Sequence, residues 1–238
     1  MYQTHKIYIQ EDMVLADLII ENPSLLLLME FFAIDDVIND DTVESICKKN
    51  NINLSVFLTF ANLYNGFNPN RKDINTNNID VRTVIKFLKK THLFYIHDKY
   101  PEVHKYIKQL YKKQDKEVIE RIELFFNDYF NEVLEHLRYE EEVAFPYFCK
   151  LLGDESKISD ANFSVNEYRE HHTDIETKLS DLKNLLIKHI ALKGDFPLKR
   201  KIIQSLFELE NDLIIHSMIE EHILLPLVEE LEKNKNFG

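Results

Sequence analysis

Two stretches of this 238-residue sequence carry histidine and glutamate at a spacing that suits metal binding. One begins at His136 and the other at His216, and both read H-x-x-x-E-E-x-[VI]-[AL]-[FL]-P. Every matched position is separated from its counterpart by the same interval, eighty positions. Residues four positions apart lie on one face of a helix, so His136 projects beside Glu140 and His216 beside Glu220. Imidazole and carboxylate groups that project together can bind a first-row transition metal.

The same interval links a second pair of histidines, His92 and His172, and each precedes its motif histidine by an equal distance along the chain. We interpret this repeat as one pair of helices used twice. Neighbouring helices in a bundle lie about 8–10 Å apart, so four of them can direct these side chains at one central pocket. The predicted metal ligands are His92, His136, Glu140, His172, His216 and Glu220.

This ligand set predicts two metal ions, because six protein ligands are more than one open metal site takes. Two histidines on each ion, with the carboxylates bridging, give an arrangement that matches the repeat. Burying such polar groups without a metal would cost much free energy. Iron, manganese and zinc all accept these ligands, so the sequence does not identify the metal.

Two of the predicted ligands have competitors nearby in the sequence. His97 follows His92 by five positions and lies nearly on the same helix face, but no histidine stands at the equivalent position of the second repeat. His171 competes with His172 and lacks a histidine counterpart in the same way. The repeat therefore favours His92 and His172.

A further glutamate, Glu141 or Glu221, follows the glutamate of each motif. On a helix it points about 100° away from the ligand face. We interpret these two glutamates as solvated groups, or as hydrogen-bond partners that orient a ligating imidazole, rather than as metal ligands.

Four long periodic segments position the predicted ligands, at roughly 79–112, 114–152, 164–192 and 196–233. Each spaces apolar residues among Lys and Glu, as amphipathic bundle helices do. The chain has only 4 Gly and 6 Pro, which leaves little turn-forming sequence for a β-sandwich or barrel. The sequence therefore predicts an all-α fold with an up-down-up-down four-helix bundle over 79–233.

Residues 1–70 predict a separate, small helical domain. Apolar residues recur at helical spacing between 54 and 60, and Asp41 with Glu44 forms a capping-box pattern before them. The stretch from Asn65 to Asn78 is rich in Asn and poor in apolar residues, so we predict the domain boundary there.

Charge and cysteine content exclude several classes of protein. The net charge is −12 and the pI about 5.3, which argues against a nucleic-acid-binding protein. Cys47 and Cys149 stand far apart in the sequence without a CxxC motif, which argues against a disulfide framework. The polar N-terminus lacks a signal-peptide core. We expect a cytoplasmic protein with no membrane contact.

The repeated motif, with a further histidine on each of the other two helices, resembles the hemerythrin HHE cation-binding family over about 79–233. The small helical domain before the bundle is similar to the layout of the iron–sulfur-cluster repair di-iron proteins. This resemblance implies a hemerythrin-like bundle with two iron ions joined by an oxo or hydroxo bridge. It assigns the six predicted residues as ligands.

The resemblance also implies a function in repairing iron–sulfur clusters damaged by nitric oxide or peroxide, with damaged iron–sulfur proteins as partners. The alternative is a sensor or storage module that binds O₂ or NO without turnover. A third hypothesis is a metal-free helical interaction protein. The sequence leaves open whether the chain is an enzyme, and whether it is a monomer or a homodimer.

This chain differs from the repair proteins in one respect. Their small domain usually carries adjacent cysteines near its start, whereas residues 31–41 read FFAIDDVINDD and Cys47 stands alone. It also has four paired histidines where hemerythrins proper carry five, which favours repair or NO chemistry over oxygen carriage.

Overall fold

A computed structural model gives the fold of the chain, and it describes residues 6–35, 37–67, 79–111, 116–153, 164–171, 175–188 and 196–236. Across these ranges the regular structure is helical, and strand-like pairing is limited to an isolated bridge between Val14 and Thr42. The all-α prediction is confirmed. No helix within the same ranges is both long enough and apolar enough to cross a membrane.

From residue 79 onward, the helices lie along the predicted periodic segments. Those of the N-terminal part are α1 (Leu15–Glu21), α2 (Leu25–Phe31), α3 (Val43–Lys49) and α4 (Leu54–Tyr64). The remaining helices are α5 (Val81–Phe94), α6 (Tyr100–Leu110), α7 (Lys116–Tyr139), α8 (Phe145–Leu151), α9 (Val165–His171), α10 (Ile175–Lys188), α11 (Phe196–Ile219) and α12 (Leu225–Asn236). Within the described ranges, three π-helical turns join consecutive helices: π1 (Tyr95–Lys99), π2 (Glu140–Ala144) and π3 (Glu220–Leu224).

The chain divides into two compact units. One comprises Met1–Lys90 with Met218–Gly238, and the other comprises Thr91–Ser217. Most of the predicted boundary segment, residues 68–78, lies outside the described residues. The predicted domains, 1–70 and 79–233, stay a prediction.

The start of α3 differs from the predicted capping box. Thr42, not Asp41, is the N-cap residue, and its side chain accepts a hydrogen bond from the Ser45 backbone N–H at 3.2 Å. Asp41 instead accepts hydrogen bonds from Lys49 and from the Ser45 hydroxyl, and these bonds lower the pKa of its carboxyl. A cap forms one residue later than predicted because Thr42 already has the extended backbone of an N-cap.

Aromatic side chains form the core of the first unit. Phe87, on the first part of α5, contacts Phe60 at a ring-centroid distance of 4.6 Å and Phe32 at 5.1 Å. Phe57 also contacts Phe32, and α4 contacts both α2 and α3. The N-terminal helices and the beginning of α5 therefore share one core.

Replacing Phe60 with alanine should lower the free energy of unfolding by about 3–5 kcal/mol, because it leaves a cavity at the centre of this aromatic cluster. Urea denaturation followed by circular dichroism measures the change. Phe67→Ala is the matched control, because Phe67 contacts Tyr8 and belongs to a different ring pair. Equal losses for the two variants would contradict the assignment of Phe60 to the core.

In the second unit, α7 contacts both α6 and α10. Lys183 pairs with Glu210, which joins α10 to α11. Lys99 pairs with Glu208 at 2.5 Å, which joins π1 to α11. The four helical segments of this unit are π1 with α6, then α7, α10 and α11. Each of them contacts two of the others.

A proline lies two residues after each π turn, at Pro101, Pro146 and Pro226. In π2, the Phe145 N–H donates to the Glu140 carbonyl five residues earlier, and π1 and π3 close in the same way. Proline has no N–H and breaks the regular helical ladder. Two of these turns, π2 and π3, begin at the motif glutamate, so the helix widens where each motif supplies its carboxylate.

Lys99 forms a partly buried ion-pair network with glutamates of α6 and α11. Its ammonium donates to Glu208 and, at 3.0 Å, to Glu102, which also accepts from the Ser205 hydroxyl at 2.8 Å. Burial lowers the pKa of Lys99, but the bonds to Glu208 and Glu102 outweigh it and raise that pKa. Burial raises the pKa of Glu102, but the bonds from Ser205 and Lys99 outweigh it and lower that pKa.

This network predicts a pH dependence of stability. The lowered pKa of Glu102 adds stability above its ordinary value of 4.5, and this is lost as pH falls through the lowered pKa. The raised pKa of Lys99 adds stability below 10.5, and this is lost as pH rises through the raised pKa. We expect Lys99→Met to cost about 1–3 kcal/mol at neutral pH. It should also reduce the fall in melting temperature at both low and high pH. A curve of melting temperature against pH that runs parallel to that of the wild type would contradict this assignment.

Candidate metal centre

Three long helices bring four of the predicted ligands together within the second unit. His92 lies in the last turn of α5, His136 in the last turn of α7 and His216 in the last turn of α11, while Glu140 opens π2. All four are buried, and His92 and Glu140 have no exposed surface. Their helices bury them because each lies on the apolar face that packs into the core.

Glu140 lies at the centre of this cluster. Its Oε2 atom is 3.2 Å from His92 Nε2 and 3.9 Å from His216 Nε2. Its Oε1 atom is 3.1 Å from His136 Nε2. The two oxygens of one carboxylate thus face imidazoles of different helices.

The donor set fits a metal ion. The donor atoms of His92, Glu140 and His216 all lie within 4.8 Å of one another. Two ligand atoms, each about 2.1 Å from a metal with bond angles of roughly 90–109°, lie about 3.0–3.4 Å apart. The distances from Glu140 to His92 and His136 fall in that range, and the His216 distance is somewhat longer. This buried cluster can hold a metal ion, and its ligand types do not identify which metal.

Hydrogen bonds to the outer ring nitrogens orient two of the histidines. Glu141 Oε1 lies 2.8 Å from His92 Nδ1, and Thr91 Oγ1 lies 2.7 Å from His216 Nδ1. In both rings, Nε2 is then the atom that faces Glu140. The Glu141 carboxylate accepts from the N–H of His92 Nδ1, which leaves Nε2 as the atom that can bind a metal. The Thr91 hydroxyl fixes the direction of the His216 ring.

Glu141 combines the two roles that the sequence left open, since its side chain is 41% exposed and also bonds to His92. The sequence did not single out Thr91. A threonine next to a histidine is too common a pair to indicate a contact with a helix so distant along the chain.

Tyr168, on α9, also contacts the cluster and was not predicted. Its hydroxyl donates to Glu140 Oε1 at 2.6 Å, and its side chain is buried. The sequence carried one signal for it, because Tyr168 precedes the predicted ligand His172 by four positions, a spacing that predicts one helix face.

Polar pairs continue from the cluster along two antiparallel helical stretches. They recur about once per helical turn, as Thr91–His216, Tyr95–Asp212, Lys99–Glu208 and Glu102–Ser205. The Tyr95 hydroxyl donates to Asp212 at 2.6 Å, and both residues are buried. These pairs fix how residues 91–102 are aligned along α11.

The remaining predicted positions are placed as follows. His97, the competitor of His92, is exposed. His172 lies outside the described residues, and so does the side chain of His171. Glu220 is buried at the start of π3, four positions after His216 along one helical stretch, and it stays a predicted ligand.

No protein-family model matches this chain, and no curated protein matches it. The resemblance to the hemerythrin HHE family therefore rests on the repeated motif and the paired histidines alone.

Proposed function

We propose that this chain is a hemerythrin-like, non-haem di-iron protein that acts in iron–sulfur-cluster repair or in the response to nitrosative and oxidative stress. The observation that carries the proposal is the buried carboxylate of Glu140, with His136 at one oxygen and His92 and His216 at the other. A carboxylate flanked in this way suits a bridge between two ions. The function in repair comes from the resemblance of the motifs.

The proposed scaffold is an up-down-up-down four-helix bundle over 79–233. The contacts among the helical segments of the second unit support it, because each segment packs against two others. Side chains that project inward from facing helices are how such bundles build dinuclear sites.

The chain's own residues would hold the ions and set their surroundings. Bound iron would supply one-electron chemistry and open positions for O₂ or NO. His92, His216 and Glu140 would hold one ion, and the sequence repeat assigns His136, His172 and Glu220 to the other. Neutral imidazoles keep the charge of the centre low, while the burial of Glu140 and His92 excludes bulk water.

The proposed compartment is the cytoplasm, in agreement with two free cysteines. Burial raises the pKa of the Cys47 thiol to about 12, so it stays protonated at neutral pH. Cys47 therefore cannot supply the thiol chemistry that the adjacent cysteines of the repair proteins offer.

We expect a thiol reagent at pH 8 to modify Cys149, which is half-buried, and to leave Cys47 unmodified until the protein unfolds. Mass spectrometry after brief labelling, with and without denaturant, measures this difference. The Cys149→Ser variant is the control and should show no fast labelling. Fast labelling of Cys47 in the folded protein would contradict the expectation.

The test of the proposed function is metal content with an optical spectrum, on protein purified without added metal. About two irons per chain, with oxo-bridge charge-transfer bands, support the proposal. Both signals should disappear in the His136→Ala/His216→Ala variant. One zinc, or no metal in the wild type, would overturn it.

Repair and sensing are separated by a second assay. A repair protein should reactivate a damaged iron–sulfur enzyme in proportion to its iron content. A sensor should instead change its assembly when O₂ or NO binds and give no such reactivation.

A further inference from the structure

The two halves of the repeat match in their ligands but differ in the residues around them. His92 and Glu140 recur as His172 and Glu220 at the repeat interval. Tyr168, whose hydroxyl bonds to Glu140, has Leu88 as its counterpart. A hydroxyl donor in one half is therefore a buried hydrocarbon in the other.

The bond from Tyr168 fixes the orientation of the Glu140 carboxylate. At 2.6 Å it has the short length of a hydrogen bond from a hydroxyl to a charged oxygen, and both side chains are almost fully buried. With Oε1 held by Tyr168, Oε2 is left facing His92 and His216. The phenol thus selects the rotation that presents Oε2 to these two histidines.

His92 and His216 are the other two donors of the metal position that Oε2 of Glu140 faces, and both are also held in place. Glu141 bonds to His92 Nδ1, and Thr91 bonds to His216 Nδ1. Thr91 has His171 as its counterpart, so a hydroxyl stands at this place in one half and an imidazole in the other. All three donors of the position have a hydrogen-bonded neighbour that fixes their direction, and donors arranged in advance bind more tightly.

We propose that Tyr168 is a positioning residue for Glu140, and that it makes the His92–Glu140–His216 position the tighter of two unequal metal positions. This inference rests on the proposed function, because it assumes two bound ions. An ion added to the metal-free protein fills this position first.

The test is a Co²⁺ titration of the metal-free full chain against a competing chelator, followed by the visible d–d bands. The wild type should bind in two steps of unequal affinity. Tyr168→Phe should weaken the first step about 10–100-fold and shift its d–d bands, since it removes only the hydroxyl. Tyr100→Phe is the matched control, because the Tyr100 hydroxyl bonds to Asn127 of α7, outside the cluster, and it should leave both steps unchanged.

Thr91→Val provides an independent check, because it removes the hydroxyl that bonds to His216 and keeps the side-chain shape. It should weaken the same first step. Two equal steps in the wild type, or an unchanged first step in Tyr168→Phe, would overturn the inference and leave the proposed function standing. A wild-type chain that binds no Co²⁺ would overturn both.

Discussion

The Glu140→Gln variant should lose bound metal, with an affinity reduced by more than about 100-fold. Replacing a residue that only orients a ligand already costs about 10–100-fold in affinity. Glu140 contributes more than orientation, because it supplies the negative charge that faces three imidazoles inside the core. Glutamine keeps the shape and removes that charge. Metal analysis of the purified variant, and its titration with Fe²⁺ under anaerobic conditions, measure the loss.

Two neighbouring glutamates provide matched controls for this substitution. Glu141→Gln should weaken binding by about 10–100-fold, because it alters the bond to His92 Nδ1. Glu142→Gln should bind metal like the wild type, because Glu142 is exposed. Wild-type metal content in Glu140→Gln, with a normal circular dichroism spectrum, would refute the central role of this carboxylate.

Removing the metal should lower the melting temperature by about 5–16 °C. An ion present at about 100 to 1,000 times its dissociation constant stabilises the folded state by about 2.7–4.1 kcal/mol. For a chain of this size, each kcal/mol corresponds to about 2–4 °C. Differential scanning calorimetry before and after dialysis against a chelator measures the shift, and adding the metal back should restore it.

The Glu140→Gln variant is the control for this experiment too, since it should melt at the same temperature with and without chelator. An unchanged melting temperature in the wild type would favour the third hypothesis, in which the chain is a metal-free helical interaction protein.

The helices were predictable from the sequence because their signals are local. Apolar residues at helical spacing recur in all four long segments, and the helices from α5 onward lie within those segments, except that α12 ends at Asn236. The proximity of His92 to Glu140 was predictable from the repeat, because the repeat can be detected in the sequence without knowing how the helices pack. The spacing of four positions between His136 and Glu140 placed both on one face.

Other features depend on contacts between distant helices and left little trace in the sequence. Thr91 and Tyr168 contact the cluster through hydrogen bonds to residues far from them along the chain, and neither residue type marks a metal site. The shared core of Phe60 and Phe87 was hidden as well. The predicted domain boundary falls between these two residues, and their contact depends on how the helices pack.

The π turns carry information about the history of the chain. A π turn amounts to one residue inserted into a helix. π2 and π3 occupy equivalent positions in the two repeats, so a single insertion that preceded an internal gene duplication accounts for both. π1 has no such partner, because the equivalent residues 175–179 lie in α10 as ordinary α-helix. The interval from His92 to His136 nonetheless equals that from His172 to His216, so π1 arose in one copy without a net change in the number of residues.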